Sequence, residues 1–210
     1  MRTRIKICGF TRAEHAVEAI ALGADAIGLV FYPPSPRNVS IEQADILCRA
    51  LPPFVSIVGL FVDAAETTVH EVLERVPLSV LQFHGNESPE YCQRFACRYI
   101  KAVRVKPGLD LLQYAARYPS ASGLLLDAWV HGVPGGTGER FDWSLIPDRL
   151  PLPIILSGGL TADNVSDAVC TVKPWAVDVS SGVEVEKGLK CADKMKVFID
   201  GVCNADVRLA

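Results

Sequence analysis

The chain reads as an α/β protein of the closed (β/α)8 TIM-barrel class, with one domain spanning residues 1–210. Three observations lead there. Short β-branched runs alternate with longer helical patterns from end to end. Eight such runs recur at roughly 26-residue intervals, so each gap has about the dozen residues that a parallel crossover needs. The runs are almost continuously apolar, as strands become when both faces of a sheet are covered. An open doubly wound sheet shares these features, but eight units fit closure best.

In order, the strands are expected at Arg4–Cys8, Ala26–Phe31, Ser56–Phe61, Val80–Phe83, Tyr99–Val103, Gly123–Asp127, Ile154–Ser157 and Ala176–Ser180. A first helix is expected over Thr11–Leu22, with Ala13, Ala16, Val17 and Ile20 on its apolar stripe and Gly23 as its stop. Ser40-Ile41-Glu42-Gln43 has the form of a capping box. Ser88-Pro89-Glu90 supplies a cap followed by proline at the first helical position. Thr161-Ala162-Asp163-Asn164 opens a helix that must end before Pro174. The longest insertion, Ala128–Gly138, follows the sixth strand.

Composition narrows the function. Twenty-one basic against 24 acidic residues leave a net charge of -3 with no basic block, so nucleic acid is not an expected partner. No apolar run reaches the roughly 18–20 residues of a membrane span. The N-terminus goes straight from Met1-Arg2-Thr3-Arg4 into a short β-like run, without the long apolar stretch of a secretory signal. Seven cysteines without a CxxC pair point to reduced thiols in the cytoplasm rather than a disulfide framework or a zinc site. Monomer and homo-oligomer both remain open.

The active site of such a barrel lies where strands end and loops begin. There stand Cys8, Phe31 leading to Arg37, Asp63, His84, Arg104, Asp127, Ser157-Gly158-Gly159 and Ser180-Ser181-Gly182. The small-residue turns at Gly158, Gly159 and at Ser180, Ser181, Gly182 follow strands seven and eight, the usual place for a phosphate, which backbone N–H groups can approach closely. Glu184, so near a phosphate, is expected to point away. Asp127 closes an apolar strand, where burial would let it keep a proton to donate, or else it caps a loop. Cys8 ends a strand just before Gly9, so its thiol can face the mouth as a base; the other six cysteines lie on or near helices and read as structural. Arg37, on a loop stiffened by Pro33, Pro34 and Pro36, is either a solvated charge or a fork for a carboxylate. His84 reads as a hydrogen-bonded structural histidine or a ligand-facing one. Gly135–Gly138 reads as a lid or another ligand-facing turn.

Several segments together resemble phosphoribosylanthranilate isomerases. They are Ile5-Lys6-Ile7-Cys8-Gly9-Phe10-Thr11, Pro34-Ser35-Pro36-Arg37, Leu81-Gln82-Phe83-His84-Gly85 and Leu125-Leu126-Asp127. Gly135-Gly136-Thr137-Gly138, Phe141-Asp142-Trp143, Leu156-Ser157-Gly158-Gly159-Leu160 and Val177 through Glu184 continue the likeness over nearly the whole chain. The resemblance implies an Amadori rearrangement of N-(5'-phosphoribosyl)anthranilate in tryptophan biosynthesis, without metal or cofactor. It implies Asp127 as general acid toward the ring oxygen, Cys8 as general base at C2' and Arg37 on the anthranilate carboxylate; His84 and Asp178 are also expected beside the substrate. One departure is Lys190-Cys191, where the family usually has Lys-Asp; that segment is expected to be remote from the chemistry.

Strand parity adds a further expectation. Lys6 shares a face with Cys8, and Asp178 with Ser180, and strands one and eight are neighbours only if the sheet closes. Lys6 and Asp178 would then pair inside the barrel and help hold Cys8 as thiolate, unless Lys6 snorkels to solvent. Gln82 has the parity to share that interior. Two alternatives remain: another phosphosugar barrel, such as an epimerase or an indole-glycerol-phosphate synthase, and a catalytically silent barrel that scaffolds a pathway partner.

Overall fold

The computed structural model describes residues 2–128 and 141–209. The Gly135–Gly138 segment lies outside the described residues. Eight parallel strands close in the order β1 to β8: β1 Arg4–Cys8, β2 Ala26–Phe31, β3 Ser56–Phe61, β4 Val80–Phe83, β5 Arg98–Val105, β6 Leu124–Ala128, β7 Ile154–Leu156 and β8 Ala176–Val179. β1 pairs with β8 in the register Arg4↔Ala176, Ile5↔Val177, Lys6↔Asp178, Ile7↔Val179. Four strands match expectation residue for residue. β7 and β8 end one residue early because the chain turns away, at Gly158 through a positive φ and at Ser180 into the 3-10 turn Ser181–Val183.

Helices cover the outside. Helix α1, Ala13–Leu22, starts two residues later than expected: the Thr11 hydroxyl donates instead to the Gly188 carbonyl. Gly23 ends it in the left-handed region. Its buried stripe is Ala16 and Ala19, and Val17, expected there, is 38% exposed. The Ser40 capping box opens α2, Ile41–Arg49, and Ser88 caps α4, Pro89–Cys92, with proline first. Between these lies α3, Glu66–Arg75, and after β5 comes α5, Leu111–Arg117. α6 runs Val165–Val172 and stops at left-handed Lys173, before Pro174. After β8 the chain forms a small hairpin, β9 Glu184–Glu186 and β10 Leu189–Lys190, before α7, Ala192–Leu209, packs along α6 and α1. No described helix is long and apolar enough to cross a membrane.

Alternation sorts each strand's side chains. Outward residues such as Ile5, Ile7, Ile27, Leu29, Leu81 and Phe83 build the shell beneath the helices. Inward, Val58, Ile100, Ala102, Leu125, Ile155 and Ala176 form an apolar floor. Toward the carboxyl ends of the strands that floor gives way to Lys6, Gln82 and Asp178, all buried, and then to the mouth.

A second buried charge pair holds the loops at the mouth from outside. The Lys101 ammonium donates to the carbonyls of Phe83, Gly85 and Ala102 and to Glu87 Oε2 at 3.0 Å. Glu87 in turn accepts from the N–H groups of Asp63 and Gly85. The loops after β3 and β4 are thus tied together under a fully enclosed cation. Breaking a buried pair from one side leaves an uncompensated charge, at a cost of about 3–5 kcal/mol. Lys101→Met should lower the unfolding free energy by that amount in urea titration; a loss below about 1 kcal/mol, the range of exposed pairs, would rule out the tie.

Candidate active site

At the mouth the strand ends bring together most of the residues singled out from sequence. Cys8, Arg37, His84, Asp127 and Asp178 are all buried. Lys6 and Asp178 meet inside the barrel, Nζ to Oδ1 at 2.7 Å, and Lys6 does not snorkel, being 5% exposed. The Ser157 hydroxyl donates to the other Asp178 oxygen at 3.4 Å. Asp178 and Cys8 hold the Lys6 ammonium above its ordinary pKa against the opposing effect of burial.

The expected help of Lys6 to the Cys8 thiolate is present but outweighed. Burial pushes the Cys8 thiol up, more than Lys6 and Lys190 pull it down, and Asp178 adds to the upward push. The sulfur packs closely against β2, where a methyl on Gly28 would stand 2.6 Å from Sγ.

On the far side, Gln82, His84 and Asp127 form a chain. Gln82 Nε2 lies 3.0 Å from His84 Nδ1, and His84 Nε2 lies 3.1 Å from Asp127 Oδ2. Asp127 Oδ1 accepts from the Ala128 N–H at 2.9 Å. Arg104 reaches the His84 carbonyl at 3.4 Å, so the histidine is held at both backbone and ring.

Glu184 does not point away. It takes the Arg37 fork bidentately, Nε to Oε1 at 2.8 Å and Nη2 to Oε2 at 2.7 Å. Lys190 Nζ joins at Oε1, also at 2.8 Å. Burial would favour the neutral acid, but the two cations outweigh it and hold Glu184 below the usual carboxylate range. The Arg37 arm crosses Gly9, where a Cβ would come within 2.5 Å of Cδ. Nor is Lys190 remote, as its place beyond strand eight implied. The hairpin folds it back, fully enclosed, onto the carbonyls of Cys8 and Ser180. Sequence reasoning missed Lys190 and misplaced Glu184. A buried position for either is not visible in a polar two-strand hairpin, and the only available signal was the closeness of Glu184 to the Ser180 turn.

The turns expected to hold phosphate lie against one another. A Cβ on Gly182 would meet the Leu160 carbonyl oxygen at 2.1 Å. Asn164 Nδ2 draws the Gly159 carbonyl toward the start of α6 at 2.8 Å. Gly158 has φ +79 and would place a Cβ 2.5 Å from the Ala128 backbone nitrogen. Gly108, at φ +83, has open space around it. Both pay the left-handed cost of about 1–2 kcal/mol on gaining a side chain, but only Gly158 also collides with immovable backbone. Gly158→Ala should therefore destabilise clearly more than Gly108→Ala in parallel denaturant titrations, and equal losses would refute the close approach.

Comparison with known proteins bears on the family and the fold. Residues 5–201 match the family model described as N-(5'phosphoribosyl)anthranilate (PRA) isomerase. An N-(5'-phosphoribosyl)anthranilate isomerase of Pseudomonas paraeruginosa is 58% identical over 95% of this chain and 94% of its own. The one from Thiobacillus denitrificans is 59% identical over 95% and 97%. The crystal structure of the phosphoribosyl anthranilate isomerase from Thermotoga maritima superposes with a TM-score of 0.88 at 40% identity, covering 96% of this chain and 99% of that one. A phosphoribosyl anthranilate isomerase in complex with reduced 1-(o-carboxyphenylamino)-1-deoxyribulose 5-phosphate superposes at 0.85, also at 40% identity, with the same coverage. The chain belongs to the N-(5'-phosphoribosyl)anthranilate isomerase family.

Proposed function

We propose that Cys8 and Asp127 are the base and acid of this barrel's reaction, the Amadori rearrangement of N-(5'-phosphoribosyl)anthranilate to 1-(2-carboxyphenylamino)-1-deoxyribulose 5-phosphate in tryptophan biosynthesis. The observation that carries the reading is the placement of a thiol and a carboxyl, each buried, at the carboxyl ends of β1 and β6, inside one closed mouth. Asp127 gives its proton to the ring oxygen as the C1'–O bond breaks, which leaves an open-chain Schiff base. Electron withdrawal by that group acidifies C2'–H, and Cys8 takes the proton as thiolate. The enol that results becomes the aminoketose by tautomerisation. His84, at 3.1 Å, is placed to donate to the Asp127 carboxylate once the proton has gone.

Binding residues follow the same geometry. Arg37 has Nε and Nη2 on Glu184, so its remaining edge is the one offered to the anthranilate carboxylate. His84 and Asp178 border the sugar. Gly158, Gly159, Ser180, Ser181 and Gly182 take the phosphate, whose binding energy orients the reacting end. The seven free cysteines suit a reducing, cytoplasmic compartment.

The test is decay of substrate fluorescence on freshly made N-(5'-phosphoribosyl)anthranilate. Positioned acids and bases each contribute about 10²–10⁴-fold. Cys8→Ala and Asp127→Ala should each lose turnover in that range while still binding a reduced product analogue. If both variants lose binding as well, the two residues are structural.

A further inference from the structure

We propose that Lys190 is a positioning residue for Cys8: its enclosed ammonium anchors the end of β1 and supplies the positive charge that lets the buried thiol act as a base. The inference rests on Cys8 being the base.

The charge state of Lys190 follows from its neighbours. Among the described residues, Nζ donates to four oxygens, the Cys8 carbonyl, the Ser180 carbonyl at 3.0 Å, the Ser180 hydroxyl at 3.4 Å and Glu184 Oε1 at 2.8 Å, and it lies 5.7 Å from the Phe10 ring centre. An ammonium offers three protons to such a set, whereas a neutral amine would turn its lone pair on an oxygen. Burial pulls the lysine below its ordinary pKa, and Arg37 adds to that, while Glu184 and Cys8 work against both.

Several elements bring charge to Cys8. Lys6 comes from β1 itself, Asp178 from β8, Lys190 from β10 and Arg37 from the loop after β2, while Gly28 of β2 brings none. With Glu184 behind them, three cations face two carboxylates. Lys6 is matched by Asp178. Arg37 spends two of its donors on Glu184. Lys190 shares that same carboxylate oxygen with Arg37, so its charge is the least compensated of the three. From its seat on the Cys8 carbonyl the surplus charge acts on a sulfur that has to become an anion, in surroundings where burial opposes ionisation.

Anchoring is the second half. The Cys8 carbonyl accepts from Lys190 and from the Ser180 hydroxyl at 2.9 Å, which ties the last residue of β1 to the end of β8. On the β2 side, Sγ packs closely against Gly28.

Two readouts test this. Cys8 ionisation is followed by ultraviolet thiolate absorbance, as the difference from Cys8→Ser protein, and turnover by loss of substrate fluorescence. Lys190→Met removes the charge and keeps most of the arm. Loss of a cation disfavours the thiolate, so the titration should move to higher pH and kcat should fall about tenfold or more, with KM little changed. Lys190→Arg should return both toward the wild-type values. Lys190→Gln keeps a donor for the carbonyls without the charge, and it carries the titration test if the methionine variant does not fold. An unmoved Cys8 titration in folded Lys190→Met or Lys190→Gln protein overturns the proposal. So does a Lys190→Arg enzyme as impaired as Lys190→Met. Retained turnover in Cys8→Ser would instead remove the base assignment, and the titration of the wild-type thiol would still report whether Lys190 acts on it.

Discussion

The pairing of β1 with β8 is the constraint on which the mouth depends. Cys8 lies near one end of the chain, yet its surroundings come largely from the other: Asp178, Ser180, Glu184 and Lys190 all follow position 175. Closure delivers them, and the charges in turn enforce the register of closure. A slip of one residue between β1 and β8 would turn Lys6 to the helix layer and leave Asp178 enclosed without its cation. An unpaired buried ion costs several kcal/mol, so the Lys6–Asp178 pair penalises wrong registers even if it adds little net stability to the right one.

That distinction separates what holds the barrel from what equips it. Desolvating two ions can offset their attraction, and buried pairs are weak evidence for stability. The apolar floor and the shell under the helices supply the burial that drives folding. The polar layer above the floor is therefore better understood through the chemistry it serves. Lys101 and Glu87 fit the same logic from outside, since a wholly enclosed cation spends its protons fixing the loops that carry Asp63 and His84.

The strands were legible because a parallel barrel asks one thing of them, apolar faces on both sides, and that leaves short uninterrupted runs in the sequence. Strand ends were less so: Ser157 and Ser180 look like strand residues until a glycine φ or a 3-10 turn takes the chain away. Parity alone placed Lys6 opposite Asp178, because both sit inside regular strands of the same sheet. Parity could not place Lys190 or Glu184. Both lie in a hairpin whose return onto Cys8 is a tertiary event, and an alternating Glu-Val-Glu run reads as solvent-facing until Arg37 is seen to meet it. Val17 failed for a related reason: the helix stripe predicted from spacing was right in period but rotated, because α1 docks on its two buried alanines, Ala16 and Ala19, whose small side chains allow close approach.

The two sides of the mouth differ in charge, and that difference bears on the roles proposed for them. Around the sulfur, lysines and an arginine converge with one positive charge left over. Around Asp127, among the described residues, the hydrogen-bond contacts are an imidazole backed by a neutral amide and the residue's own following N–H, while Arg104, its register partner on β5, reaches the His84 carbonyl. A base that works as an anion gains from nearby cations, whereas an acid must begin neutral and gains from dipoles that can settle its charge after the proton has left. The surplus of cations around the sulfur therefore suits the proposed direction of proton flow, from Asp127 to the ring oxygen and from C2' to Cys8.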